Sequence, residues 1–248
     1  MAFYIKEFFN NPSGKGSAVL NISATKTEFE SRYNKIHKQV THKTFFVKDN
    51  IYILVNIPSS VEGIMYDVLL KFEKTKKSLG TTILDMDMKL FSNSPSFLYT
   101  YANAYDKQKL FIKECKKKLS TKMLSDIAKT RNPYGVLSYD FSIYSALHYI
   151  LSNGYTNIDD LKMGDFINCD SARVLKFVKD AELLQKNRKI QKDYNKMMEQ
   201  EKLKKNKAKA VKGNSEKETT DPSLKEVKNV KSTVHVKQSK YSKKVKKI

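Results

Sequence analysis

The 248-residue chain contains no tryptophan and has only two cysteines, Cys115 and Cys169. Two thiols cannot form a disulfide framework or a four-cysteine zinc site, so we expect both to be free thiols in a reducing compartment. No run of about 18 apolar residues is present, and the opening MAFYIKEFF is interrupted by Lys6 and Glu7. We therefore expect no membrane span, no membrane partner, no signal peptide and synthesis in a cytoplasm.

A P-loop motif is also missing, although NNPSGKGSAVLNI (10–22) is similar to one at first sight. A P-loop needs a second glycine upstream of the Gly-Lys pair, and Ser or Thr directly after the lysine. Here Gly16 follows Lys15, and no glycine stands at the upstream position. SAVLNIS (17–23) has the length and composition of a strand, where a P-loop requires a helix. A flexible glycine turn is the favoured interpretation.

No set of residues forms a recognisable metal or catalytic site. His37 and His42 lie five positions apart without a third ligand, and His148 falls on an apolar helix face, as core histidines do. Asp85 and Asp87 would share one face of a predicted strand, where charges typically mark a solvent-facing edge. No G-x-S-x-G motif occurs. We therefore predict a non-enzymatic protein without catalytic residues, metal or cofactor.

Apolar periodicity predicts an antiparallel sheet with packed helices. KTFFVKDNIYILVNIPSS (43–60) predicts a hairpin turning at Asp49-Asn50. IMYDVLLKFEK (64–74) predicts a further strand, with a short helix as the alternative. TTILDMDMKLF (81–91) alternates with a period of two, which is typical of a half-buried strand. TKTEFESRYNKIHKQV (25–40) predicts a helix capped by Thr25. Helical spacing also occurs in DKQKLFIKECKKKL (106–119), STKMLSDIAKT (120–130) and SYDFSIYSALHYILSNG (138–154).

Because helices follow strands instead of alternating with them, the predicted fold class is α+β. We divide the chain into four parts. Residues 1–16 are an apolar N-terminal arm with a glycine turn, which we expect to grip a neighbouring subunit, and residues 17–169 are the α+β body. Residues 170–212 form one long, increasingly polar helix. Residues 213–248 are a lysine-rich tail with too few apolar residues to fold, so we predict it to be disordered.

The basic charge is concentrated near the C-terminus. The net charge of the chain is +21, and residues 202–248 contain 16 lysines, no arginine and four acidic residues. Lysine provides a flexible point charge, whereas arginine reads base edges with two hydrogen bonds. We therefore expect salt-sensitive, non-specific phosphate contact, or contact with an acidic neighbour, with a purely solubilising tail as the alternative. The predicted contact residues are Lys202, Lys204, Lys205, Lys207, Lys209, Lys212, Lys243, Lys244, Lys246 and Lys247.

A second candidate surface is the aromatic stretch NSPSFLYTYANAYDK (93–107). It contains Phe97, Tyr99, Tyr101 and Tyr105, with basic residues only at its end. Stacking on nucleobases would favour interleaved basic residues, which are absent. We predict a packed core or protein-interface cluster instead, and treat the four aromatic residues as a candidate protein interface.

The stretches DMDMKLFSNSPSFLYTYANAY (85–105) and KTRNPYGVLSYDFSIYSALHYI (129–150) resemble virion structural proteins of large tailed phages of low-GC bacteria. The resemblance covers about residues 40–155 and carries no catalytic residues. It implies a structural protein of the phage head, neck or tail, located in the virion, with other virion proteins as partners in a homo- or hetero-oligomer. The alternative that we keep is a free nucleic-acid-binding protein acting in viral expression or packaging.

Overall fold

A computed structural model describes residues 3–5, 22–76, 78, 80–119, 132, 140–162 and 166–215, without the side chains of 22–26 and 207–215. The predicted glycine turn, the predicted helix 120–130 and the tail from 216 onward lie outside the described residues. Within these residues, the helices and strands are α1 (Ile22–Ile36), β1 (Thr41–Val47), β2 (Asn50–Pro58), β3 (Met65–Glu73), β4 (Asp87–Ser92), α2 (Ala102–Lys107), α3 (Phe141–Ser152), α4 (Ile158–Lys162), α5 (Ser171–Phe177) and α6 (Ala181–Ser215). Short 3-10 helices cover His37–Gln39, Ile83–Asp85 and Lys113–Lys118, and a π-helical turn covers Phe97–Tyr101.

The four strands form an antiparallel meander in the order β1-β2-β3-β4, which confirms the α+β prediction. The hairpin between β1 and β2 pairs Val47 with Asn50, so its two turn residues are Lys48 and Asp49, one position earlier than predicted. Lys48 adopts a φ of 54°, as one of the favoured two-residue turns requires. Six of the nine residues are buried in each of β2 and β3, in unbroken runs of five and six, so the central strands are covered on both faces.

Both edges of the sheet are occupied by other parts of the same chain. At β1, the Phe46 backbone N–H donates to the Phe166 carbonyl at 2.9 Å. At β4, the Leu90 N–H donates to the Leu110 carbonyl at 2.9 Å, and the Met88 N–H donates to the Phe3 carbonyl at 2.7 Å. Paired edges do not offer free backbone groups to a neighbouring molecule.

Part of the predicted N-terminal arm packs on its own chain. The Phe3 N–H also donates to Asp87 Oδ1 at 2.7 Å, and Ile5 is buried in the core. Phe3 and Ile5 therefore pack on their own chain, and contact of the remaining arm residues with a neighbouring subunit stays a prediction. The same bond gives Asp87 a partner, and Asp85 lies in a 3-10 helix before β4, so the two carboxylates do not share a strand face.

The helices match the sequence at some points and depart from it at others. Phe29 and Tyr33 of α1 are buried as predicted, but Ile22 and Ser23 are already helical. SAVLNIS is therefore not a strand throughout, and Thr25 lies inside α1 instead of capping it. The predicted helix 106–119 does not form: α2 ends at Lys107, and Lys109 adopts a φ of 63°.

The long helix predicted from residue 170 is interrupted. Asp170 caps α5, which ends at Phe177, and α6 begins at Ala181 and continues to Ser215, past the predicted boundary at 212. The described residues up to Glu199 belong to one compact unit, which contains the sheet, and a second unit begins at Gln200.

Candidate nucleic-acid interface

The start of α6 is fixed to the sheet by a fully buried carboxylate, that of Asp67 on β3. Asp67 Oδ2 accepts the backbone N–H of Lys179 at 2.7 Å, and Asp67 Oδ1 accepts Asn56 Nδ2 at 2.8 Å and lies 3.5 Å from Lys179 Nζ. Burial raises the pKa of Asp67, and the hydrogen bonds and the charge of Lys179 oppose that rise. Asn93 Nδ2 also donates to Asp67 Oδ2 and to the Lys179 carbonyl. Because these hydrogen bonds hold Lys179 on β3, we call Asp67, Asn56, Asn93 and Lys179 the Asp67 clamp.

The clamp explains why one predicted helix becomes two. Donation of the Lys179 N–H to Asp67 places this residue outside a helical hydrogen-bond ladder, and Asp180 Oδ1 then accepts the Leu183 N–H at 3.0 Å as a cap for α6. Ala181 and Leu184 are buried directly afterwards, and Leu184 packs on Val61 and Ile64. The first turns of α6 are therefore part of the body.

A row of lysines follows a different face of α6. Lys189, Lys192 and Lys196 are spaced at i, i+3 and i+7, which places them on one side of a helix, and all three are exposed. We call these three residues the lysine row. Over its whole length, α6 contains eleven Lys or Arg residues and four Asp or Glu residues. Exposed ammonium groups in a row can contact successive phosphates without reading bases.

The predicted contact lysines are distributed along this helix and beyond it. Lys202, Lys204 and Lys205 are exposed on α6, and Lys207, Lys209 and Lys212 belong to its last turns, where the side chains are not described. Lys243, Lys244, Lys246 and Lys247 lie outside the described residues. The lysine row itself was not among the predicted contact residues. The sequence feature that could have identified the lysine row is the helical spacing of the lysines in the first half of α6. The denser lysines of the tail made this spacing less conspicuous.

A cavity of about 280 Å³ lies between α1, α3 and α6, lined in part by Arg32, Arg188 and several serines. Arg188 Nε is buried without a hydrogen-bond partner among the described residues. Asp140 also lines the cavity, but its Oδ1 already accepts from Ser94 Oγ at 3.2 Å and from two backbone N–H groups at the start of α3. Two guanidinium groups beside hydroxyls can accept an anionic oxygen group such as a phosphate.

The aromatic cluster is largely core and not interface. Phe97 is 0% exposed and Tyr105 is 1% exposed, so both are core residues, contrary to their assignment as interface candidates. The Phe97 ring packs 5.5 Å from Tyr105 and 6.2 Å from Phe111, between ring centroids. Tyr99 and Tyr101 are partly buried against the same core. Within the π-helical turn Phe97 is buried, whereas Tyr99 and Tyr101 are only half-buried.

Other reactive side chains occupy structural positions. His42 Nδ1 lies 3.1 Å from Tyr149 Oη, while His37 Nδ1 lies 2.9 Å from the Asn34 carbonyl. Burial raises the pKa of Tyr149 to about 12, so its hydroxyl keeps its proton at neutral pH. Burial likewise raises the pKa of the Cys115 thiol, which disfavours the nucleophilic thiolate. Within the described part of the chain, no three His, Cys, Asp or Glu side chains converge as metal ligands would.

Comparisons of the chain with protein-family models, with curated proteins and with solved structures found no match. Among the helices that the structure describes, none combines the length and the apolar character needed to cross a bilayer.

Proposed function

We propose that the chain is a non-enzymatic structural protein of a larger assembly, and that it contacts nucleic acid through α6 and the residues that follow it. The observation that supports this function is the concentration of exposed lysine on one helix, whose start is fixed to the body by the Asp67 clamp. The clamp and the lysine row belong to the same compact unit, so the row has a fixed place on the body, while the sheet and its helices remain available for protein contacts.

The chemistry of the contact follows from the residue type. Each lysine that neutralises a phosphate releases a condensed counterion, so affinity falls steeply with added salt. Lysine lacks the planar fork that recognises guanine, and residues 202–248 contain no arginine. We therefore propose non-specific binding with a strong salt dependence and little preference between sequences.

Truncation tests this function directly. The full chain and a chain ending at Glu201 are compared for binding to a duplex of random sequence at about 50 mM and about 200 mM salt. We expect the truncated chain to bind more weakly at low salt and to show a shallower dependence of log K on log salt. A matched control adds back residues 202–248 with every lysine replaced by glutamine. Equal binding by all three proteins would contradict a nucleic-acid role for the C-terminal region.

We further propose that the assembly is a phage particle, and this placement rests on the resemblance of residues 40–155 alone. Quantitative mass spectrometry of purified particles from the phage that encodes the chain tests it. We expect stoichiometric copies that survive a high-salt wash, because the body would be held by protein contacts. Absence from the particles would contradict the placement without affecting the nucleic-acid contact.

The second candidate is a free nucleic-acid-binding protein, and the cavity between α1, α3 and α6 favours it. There, Arg32 and Arg188 line one cavity, and their guanidinium groups would be the residues of the body that accept a phosphate. This function requires the chain ending at Glu201 to retain most of the binding, and requires the double variant R32Q/R188Q to lose it. If the truncated chain instead loses its binding, the contact belongs to the C-terminal region, and this alternative is contradicted.

A further inference from the structure

A stripe of large apolar side chains on α6 faces solvent. Leu183, Ile190, Tyr194 and Met197 are 58%, 67%, 55% and 61% exposed. They lie within the compact unit that ends at Glu199, on a helix face different from those of Leu184 and of the lysine row. Scattered apolar residues on a surface are ordinary, but four of them aligned along one helix face indicate a binding partner.

The spacing of this stripe matches a helical partner. With Asn187 included, the positions 183, 187, 190, 194 and 197 are separated by four, three, four and three residues. This alternation is the seam of a coiled coil, in which each side chain fits between residues of a facing helix. We call these five residues the α6 seam. It spans about 21 Å along the helix axis, at about 1.5 Å per residue.

The charges that flank the α6 seam fit a second copy of the chain in antiparallel orientation. Lys186 and Asp193 each directly precede a seam residue, Asn187 and Tyr194, on the side away from Leu184. When Asn187 of one copy faces Ile190 of the other in an antiparallel pair, Lys186 of each copy faces Asp193 of the other. The two copies therefore form two ion pairs of opposite charge beside the seam.

The distribution of charge along the chain also favours this orientation. A parallel pair would place two copies of residues 202–248 side by side, each with 16 lysines and four acidic residues. In a parallel pair, Lys186 of one copy would also face Gln191 of the other, and Asp193 would face Met198. Neither charged residue would then form an ion pair. An antiparallel pair separates the two basic segments and satisfies both flanking charges.

We propose that α6 is a self-association surface, through which two copies of the chain form an antiparallel dimer along the α6 seam. This pairing does not depend on nucleic-acid binding, because the lysine row occupies another face of the helix. The seam is short, so the dimer is weak, as expected for interfaces smaller than about 1,200 Å².

Sedimentation velocity of the full chain tests the proposal. Nucleic acid is first removed by nuclease and a high-salt wash, and the protein is measured from about 5 to about 200 µM so that a weak dimer is visible. We expect a shift from monomer to dimer over this range. The double variant I190Q/Y194Q is expected to dissociate at least about tenfold more readily, because it removes the two central seam contacts.

Leu203→Gln is the matched control, since Leu203 is also on α6 and 60% exposed but lies off the seam. It is expected to leave the dimer unchanged. Charge exchange tests the orientation: K186E and D193K should each weaken the dimer, and the double variant K186E/D193K should restore it. A strictly monomeric wild type, an unaffected I190Q/Y194Q variant, or a double exchange without rescue would overturn the proposal. A monomer that instead binds anionic vesicles through the seam would assign this face to a lipid surface.

Discussion

At the scale of single residues, Asp67 connects the start of α6 to β3. Its carboxylate is 0% exposed and accepts from Lys179, Asn56 and Asn93. Asp67→Ala would leave these donors without an acceptor inside the protein, and loss of hydrogen bonds to a buried charge costs about 3 kcal/mol. We expect the free energy of unfolding to fall by this amount, as measured by urea denaturation.

Two variants separate the clamp from general damage to the strand. Asp67→Asn keeps the shape but turns an NH₂ group towards other donors, so we expect it to lose nearly as much stability as Asp67→Ala. Asp49→Asn, in the exposed hairpin turn, is the control and should change little. If Asp67→Asn is as stable as the wild type, then the carboxylate does not hold the start of α6.

The ionisation of Glu73 makes the stability of the sheet depend on pH. Burial opposes its charge, but hydrogen bonds from Lys71 and Lys89 outweigh burial and lower the pKa of Glu73. Lys71 Nζ lies 2.7 Å from Glu73 Oε1. The pKa of Glu73 is lower in the folded state than in the unfolded state. The ionised Glu73 carboxylate therefore stabilises the folded state at pH values above its unfolded pKa. This stabilisation is lost as the pH falls through the folded-state pKa.

We therefore expect Glu73→Gln to be less stable than the wild type at pH 7, with a difference that shrinks as the pH falls below about 4. The measurement is the urea midpoint across this pH range. Glu62→Gln, an exposed residue in the turn between β2 and β3, is the control and should follow the wild type at each pH. A constant difference between Glu73→Gln and the wild type would exclude this ion pair as a source of acid sensitivity.

At the scale of elements, the lysine row predicts a specific change in salt dependence. In the triple variant K189Q/K192Q/K196Q, three exposed positive charges are lost without touching Leu184 or the α6 seam. If all three contact duplex phosphates, the slope of log K against log salt becomes shallower by about 2.7, at about 0.9 per contact. The control K35Q/K38Q/K113Q removes the same charge from exposed positions elsewhere. Equal slopes in the two variants would indicate a general charge effect and not a contact by the row.

Local sequence predicted β3 and α3 because their signals lie within each segment: a β-rich apolar run for β3, and helical spacing ending at Gly154 for α3. It could not decide whether Leu183 or Leu184 faces inward. That choice depends on Asp67, which lies 112 positions before its partner Lys179. Once Leu184 is known to pack on Val61 and Ile64, Leu183 joins Ile190 and Met197 at intervals of seven residues. Without that orientation, the apolar residues of α6 look irregularly spaced.

The core and interface roles of aromatic residues were equally undecided by sequence. The sequence shows that four aromatic residues lie close together along the chain, but it does not show which way their side chains point. These residues are Phe97, Tyr99, Tyr101 and Tyr105. The π-helical turn and the packing of Phe97 against Phe111 decide this, and both depend on the segment Leu110–Ile112 reaching β4. Periodicity favoured a helix over that segment, because lysines and apolar residues alternate there at helical spacing. Pairing with Leu90 prevailed over this local preference.

At the scale of the whole molecule, the core of the described residues ends well before α6 does. The last core residues that the structure identifies are Ala181 and Leu184. A chain ending at Glu201 keeps both residues, the Asp67 clamp and the α6 seam. We therefore expect its midpoint of thermal unfolding to equal that of the full chain within about 2 °C, which corresponds to less than about 1 kcal/mol for a domain of this size.

A chain ending at Val178 gives the contrasting result. It lacks Ala181 and Leu184, and full burial of a leucine side chain contributes about 1.5–3 kcal/mol. It also leaves the buried Asp67 carboxylate without the backbone hydrogen bond from Lys179, and loss of a hydrogen bond to a charged group costs about 1.5–3 kcal/mol. We expect its midpoint to fall by about 6–20 °C, because about 1 kcal/mol shifts a domain of this size by about 2–4 °C. Scanning calorimetry of the three chains measures both differences. If the chain ending at Val178 were as stable as the full chain, α6 would be an appendage and not part of the body. The start of the basic helix would then have no fixed direction.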